Sequence, residues 1–355
     1  MTERPSASEG IVSTAFGQRN RLRLLDEYFG SPRGSRTTTA NAWAHVYQLL
    51  LWTDQTTGLA HCYESDKSQP GKPWYARSLA FHAWLASTLN VRPSEVAESI
   101  DWLFQKAAAE LAGEVVRKAA ALNAAGERQR QPYADKGFPA PGEDPELVTI
   151  VKQVLGEHLA SEPSRDEWRL LVQRIRQYLT LDNKRKNLLG EGFEDVISGL
   201  IERACPASKV QIHTRRLLSD LPGFGHVKRG DKPNKVDVAV VRSSMRTLVT
   251  AKWSVRADRE KQFVVDFNDY VAAETDGKPF EYVFLTNEFD PARLMRACDK
   301  LAGNSFMFSH VVHISTEAVK ATYGAAQEES MKKVLGFIDS GRLISLENWL
   351  VTLSK

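Results

Sequence analysis

Two short apolar runs lie close together in the chain, and each carries one charged side chain. They are Val236-Asp237-Val238-Ala239-Val240-Val241 and Leu248-Val249-Thr250-Ala251-Lys252-Trp253, with only Arg242 to Thr247 between them. Both are rich in β-branched residues, so each reads as a strand, and the short polar connection around Ser243-Ser244 makes the pair a hairpin. A turn centred on Ser244 and Met245 sets Asp237 directly opposite Lys252, where Cβ atoms are about 5 Å apart. An aspartate between valines in a strand needs a partner, because an isolated buried charge is costly. Lys252 is that partner. The hairpin is followed by Trp253 to Arg259 and then a helical run to about Ala273. On that helix Arg259, Gln262, Phe263, Asp266 and Tyr270 fall on one stripe.

The rest of the chain supports a mixed β-sheet flanked by helices, with an all-helical region before it. Helices are expected over Arg19 to Phe29, Asn41 to Thr53, Trp74 to Leu89 and from Pro93 towards Leu122. Gln129 to Glu146 contains Pro132, Gly137, Pro139, Pro141 and Gly142, the clearest linker in the sequence. It suggests a helical region over 1–140 and a second domain, carrying the hairpin, over 141–355. Within the second part, helices are expected near Leu147 to Leu159, Arg165 to Leu181 and Phe193 to Ala204. Strands are expected at Lys209 to His213, Glu281 to Thr286 and His310 to Ile314. The tryptophans of the N-terminal part (Trp43, Trp52, Trp74, Trp84 and Trp102) read as core.

Hydrophobic residues make up 42% and charged residues 26%, an ordinary globular balance, and the net charge is only +3. The chain is therefore no general polyanion coater, and contact with nucleic acid has to use local clusters. Such clusters occur at Lys184-Arg185-Lys186, Arg215-Arg216, Lys228-Arg229 with Lys232 and Lys235, and Arg256 to Lys261. The 3 cysteines are far apart and show no metal-ligand spacing, which argues against a disulfide framework. The first residues lack the apolar core of a signal peptide, and no run approaches the roughly 18 apolar residues of a membrane span. A cytoplasmic protein without membrane contact is expected.

A strand aspartate, a strand lysine and acids on flanking helices together resemble the metal-dependent nuclease core written PD-(D/E)xK. Asp237 stands at the D and Lys252 at the K, while Thr250 occupies the place of the usual second acid. Thr250-Ala251-Lys252, then Arg256, Asp258 and Arg259, then Asp266, is similar to the CCGG-recognising (CCGG/CCNGG, NgoMIV-like) type II restriction endonucleases. The resemblance covers roughly Leu188 to Asp269 and the strand after it. It implies that the missing carboxylate comes from the following helix as Asp266, and that an upstream helix supplies Glu194. Asp237, Asp266 and Glu194 would then hold Mg²⁺, a hard cation that prefers oxygen ligands. It also implies that Arg256, Asp258 and Arg259 read bases, since arginine forks onto guanine and aspartate accepts from cytosine. The implied partner is palindromic double-stranded DNA, read by a homodimer, with a tetramer allowed. Two other readings stay open: a structure-specific or repair nuclease on the same core, and a non-catalytic DNA-binding protein on a nuclease scaffold.

Overall fold

The structure, a computed structural model, describes residues 14–54, 57–60, 71–134, 136, 144–159, 161–205, 210–226, 234–243, 245–255, 260–324 and 328–354. The chain forms two compact units that interleave in sequence. One comprises Met1–Asn20 and Lys106–Leu188, the other Arg21–Gln105 and Leu189–Lys355. The expected 1–140/141–355 division does not follow these units, because residues 21–105 pack with the sheet.

The larger unit is built on a six-stranded mixed sheet. Its strands are β1 (Gln211–Leu217), β2 (Lys235–Val241), β3 (Arg246–Lys252), β4 (Phe280–Thr286), β5 (His310–His313) and β6 (Leu343–Ser345), and they lie side by side in chain order. The pairs β1–β2 and β2–β3 are antiparallel, and β3 through β6 run parallel. The short Arg242–Met245 connection suits the antiparallel β2–β3 hairpin, and helical crossovers suit the parallel half. The central strands are apolar on both faces: Val236, Val238, Val240, Val249, Val283 and Leu285 are fully buried on one, and Ala239, Leu248, Tyr282 and Phe284 are buried on the other.

One face is covered by a helix at Glu260–Ala273, here α7, whose rings meet the strand rings. Phe263 lies 5.2 Å from Phe284, Phe267 stacks on Tyr282 at 6.0 Å, and Tyr270 meets Tyr282 edge-on at 5.3 Å. In the parallel register Thr250 sits beside Phe284 and Leu248 beside Tyr282, so α7 lies over the Thr250 side of the sheet.

The N-terminal helices α1 (Gln18–Gly30), α2 (Ala42–Leu50) and α3 (Pro73–Leu89) contribute an aromatic cluster to the same unit. Trp43 and Trp84 are 5.4 Å apart, Phe81 is 4.9 Å from Phe289, and Tyr47 is 6.5 Å from Trp253. Tyr47, Phe81, Phe289 and Trp253 are buried, but of the five tryptophans expected in the core only Trp52 is buried, while Trp43, Trp74, Trp84 and Trp102 are half-buried at its margin.

Two longer helices, α4 (Trp102–Arg130) and α6 (Arg165–Ala204), contribute residues to both units, and α5 (Pro145–Leu155) belongs to the smaller one. Asp144 caps α5 by accepting from the Leu147 N–H at 3.1 Å, with Pro145 at the first turn. The break expected between Leu181 and Phe193 is absent, since α6 passes straight through Gly190 and Gly192. A helical glycine costs about 1 kcal/mol. Phe193, Val196, Ile197, Leu200 and Ile201 are all fully buried on this helix. At about 1.5–3 kcal/mol each, their burial outweighs both glycines.

The helix expected from Pro93 towards Leu122 is interrupted at Asp101, whose φ is 61°, before α4 begins. The chain ends in α8 (Pro291–Cys298), α9 (Thr316–Tyr323), α10 (Glu329–Asp339) and α11 (Leu346–Ser354).

Candidate active site

The β2–β3 ladder pairs Val241 with Arg246 and runs to Val238 with Val249, and the Arg242 N–H donates to the Met245 carbonyl at 2.9 Å. The register therefore differs by two residues from the one expected. Carried one step further, it sets Thr250 opposite Asp237, with Lys252 one pleat beyond. A slip of one residue would have turned every side chain to the other face, but a slip of two keeps the face. The expected partners thus still meet. Lys252 Nζ donates to Asp237 Oδ2 at 2.7 Å. The same oxygen accepts from the Ala251 N–H at 3.0 Å and from Thr250 Oγ1 at 3.3 Å. The Asp237 side chain is 20% exposed and that of Lys252 43%. An ion pair this wet contributes about 0–1 kcal/mol, so the pair is not what holds the fold together.

Glu194 comes from the buried stretch of α6. Burial, reinforced by the negative charge of Asp237, pushes its carboxyl up to about 7, while Arg215 and Lys252 pull the other way. Arg215 Nη1 donates to Glu194 Oε2 at 3.0 Å, and its Nη2 donates to Asp195 Oδ1 at 2.5 Å. Asp195 also accepts from Arg21 Nε at 2.9 Å, so a buried carboxylate sits between two guanidinium groups. Arg215 falls between the register pairs Thr214–Val238 and Arg216–Val236, level with Asp237 on the neighbouring strand. Its φ is 51°. Left-handed backbone costs a non-glycine residue on the order of 1 kcal/mol. Charge-assisted hydrogen bonds contribute about 1.5–3 kcal/mol each, so the two carboxylates outweigh the strain. The sequence suggested Arg215 and Arg216 as a basic surface pair. Instead Arg215 turns inward as a partner of acids.

Asp266 reaches the same neighbourhood from α7. A cavity of about 360 Å³ is lined by Asp237, Thr250, Lys252, Asp266, Lys235 and Tyr270, among others. Gln262, Phe263, Asp266 and Tyr270 all face it, so the stripe read from the sequence is the wall of this cleft. Gln262 Nε2 donates to Asp266 Oδ1 at 2.7 Å. Burial raises the Asp266 pKa; Gln262 and Lys252 oppose this, and the charge of Asp237 adds to it. For Lys252, burial alone would lower the pKa, but Asp237 foremost, then Glu194 and Asp266, raise it above its ordinary value. Glu194 and Asp266 therefore each feel the charges of Asp237 and Lys252.

Each of the two helix acids resists ionisation, first because it is buried and further because of the charge of Asp237, and a cation would relieve both. Among the described residues no group of three or more His, Cys, Asp or Glu side chains is close enough to hold a metal ion alone. Mg²⁺ rarely uses such a cage. It usually takes one or two carboxylates and completes its shell with water and substrate phosphate. The all-oxygen acids around Asp237 fit that pattern in kind. Arg256, Asp258 and Arg259 lie outside the described residues. Gln262 was legible on the helical stripe. Nothing in the sequence marked Arg215 or Arg21 as partners of the acids.

No model of a known protein family matches the chain, and no curated protein does. Among solved structures it is similar to a restriction endonuclease PspGI–substrate DNA complex, with a TM-score of 0.33 and 12% identity, covering 98% of this chain and 92% of that one. At this similarity the match carries no argument, and the chemistry of the site has to be read from its own residues.

Proposed function

We propose that the protein is a type II restriction endonuclease: a Mg²⁺-dependent enzyme that cuts double-stranded DNA at a palindrome containing CCGG or CCNGG. One observation carries this reading. A lysine ammonium rests on a strand carboxylate at the wall of a cavity that a helix acid also lines, with Glu194 coupled to both. Asp237, Asp266 and Glu194 would supply the carboxylates for the metal, one or two of them to an ion whose shell water and phosphate complete; when bound, it neutralises charge on the phosphate and lowers the pKa of the attacking water. Lys252 keeps the Asp237 carboxylate oriented. Its ammonium is also placed to align a water and to offset charge building on the phosphate. Arg215 holds Glu194 in its rotamer. Arg256, Asp258 and Arg259 read the guanines and their paired cytosines, and reading a palindrome calls for a homodimer or a higher symmetric assembly.

Plasmid digestion with Mg²⁺, followed by sequencing of the ends, tests this. Discrete fragments with one common end sequence are expected, abolished by Asp237→Ala and by chelation. Smeared products would point to an unspecific or structure-specific nuclease on the same core. A second reading, a binding protein without catalysis, draws on Thr250 in place of an acid. Intact plasmid together with a duplex mobility shift would favour it.

A further inference from the structure

Next to the cavity of Asp237 and Lys252 lies a second one of about 420 Å³, and the two share Val255 and Phe263 as a common wall. The second cavity is lined by the cations Arg293, Arg296 and Lys300 and by the acids Glu260 and Asp299. Most of the cations around the two cavities are committed. Arg296 is gripped by Glu260, with Nε 3.0 Å and Nη2 2.7 Å from its oxygens. Arg293 Nη1 donates to Glu288 Oε2 at 3.2 Å, and Lys252 to Asp237. Lys235 and Lys300 are different. Among the described residues no carboxylate pairs with either, yet each lines one of the adjoining cavities. Lys235 stands two residues before Asp237 on β2, and the period of two gives both the same face of the sheet.

A solvated lysine on an open surface needs no explanation. Two that stand at the edges of adjoining clefts, beside a charged pair, are placed for a repeating anion. A nucleic-acid strand presents one charge per about 3.4 Å of helix axis, so a phosphate seated at Asp237 and Lys252 brings its neighbours over both clefts. We infer that Lys235 and Lys300 bind the phosphodiester backbone of a nucleic-acid strand running across both cavities, without regard to base sequence. The placing of the central phosphate rests on the function proposed above.

Binding of a fluorescent duplex, followed by anisotropy in EDTA across a KCl series, tests this apart from cleavage. Counterion release makes the logarithm of affinity fall linearly with the logarithm of salt, and losing one phosphate contact lowers that slope by about 1. Lys235→Gln and Lys300→Gln should each do so, equally on unrelated sequences, and Lys→Arg at either position should restore the slope. Lys332→Gln, an exposed lysine on α10 that lines neither cavity, should leave it unchanged. Unchanged slopes for Lys235→Gln and Lys300→Gln overturn the inference, and so does an equal loss for Lys332→Gln. If the slopes fall as expected but no DNA is cut with Mg²⁺, the backbone track stands and the cleavage reading fails. A wild-type protein that does not bind duplex DNA overturns both.

Discussion

Replacing Arg215 with alanine removes the half-buried guanidinium that Glu194 and Asp195 share. The guanidinium bridges Glu194 and Asp195, whose side chains are 8% and 1% exposed, while its own is 18% exposed. Removing one partner of a buried pair costs about 3–5 kcal/mol. Two features place this case at the low end. Asp195 keeps Arg21, 2.9 Å away. Glu194, already pushed up to about 7 by burial and Asp237, can take up a proton instead of remaining as a bare buried charge. Relief of the left-handed φ of residue 215 is small, because alanine is strained there too.

A loss of about 3 kcal/mol follows. In a unit of roughly 250 residues it should lower the melting temperature by about 6–12 °C. Differential scanning fluorimetry at pH 7 measures it, with Arg216→Ala, an exposed neighbour in the same dipeptide, as the control. Arg216→Ala should shift the melt by under about 2 °C. If Arg215→Ala shifts it no more than that, the guanidinium is not what stabilises these acids, and its assignment as the partner that orients Glu194 falls with it.

Lys252→Ala should abolish Mg²⁺-dependent cutting while moving the melting temperature by only a few degrees, since so exposed a pair contributes about 0–1 kcal/mol; retained cutting would remove the lysine from the mechanism. Thr250→Val deletes a single 3.3 Å hydrogen bond to Asp237 and should cost about 0.5–1 kcal/mol in urea unfolding. A cost above about 2 kcal/mol would mean that the hydroxyl carries more than this one bond. His313 is fully buried, with Nε2 3.0 Å from the Glu288 carbonyl, and burial lowers its pKa to about 4 despite its backbone hydrogen bonds. Between about pH 6.5 and 4 the unfolded chain therefore binds a proton that the folded one does not, so stability falls as pH falls through that window, by up to about 3 kcal/mol. The raised carboxyl of Glu194 works the other way in the same range, so the measure is the difference between proteins: from pH 7 to pH 5 the wild type should lose about 2 kcal/mol relative to His313→Gln, and parallel pH profiles would contradict it.

What the sequence disclosed and what it hid follow from the range of the forces involved. The hairpin, its charged face and the stripe on α7 were legible because strand and helix periods are local properties of the backbone. The register differs by two residues from the one the hairpin pattern suggests, because nothing in Arg242 to Thr247 fixes which pair of residues turns. Asp237 and Lys252 still meet because an even shift keeps the face. The grouping of residues 21–105 with the sheet was hidden for another reason. It depends on Tyr47 meeting Trp253 and Phe81 meeting Phe289 across most of the chain, and proline and glycine mark joints without saying which segments pack together. Arg215 shows the deepest limit. It and Arg216 are the same residue type, adjacent in sequence, on the same strand. One is an exposed cation and the other an internal counter-charge to Glu194 and Asp195: strand alternation gives Arg215 the face of Asp237 and turns Arg216 to the other, and a φ of 51° at residue 215 accompanies the inward turn. That backbone angle is favourable only because two carboxylates on a helix more than a dozen residues upstream are waiting for the guanidinium. The acids and the arginine thus define one another, and neither half of that arrangement is visible until both are in place.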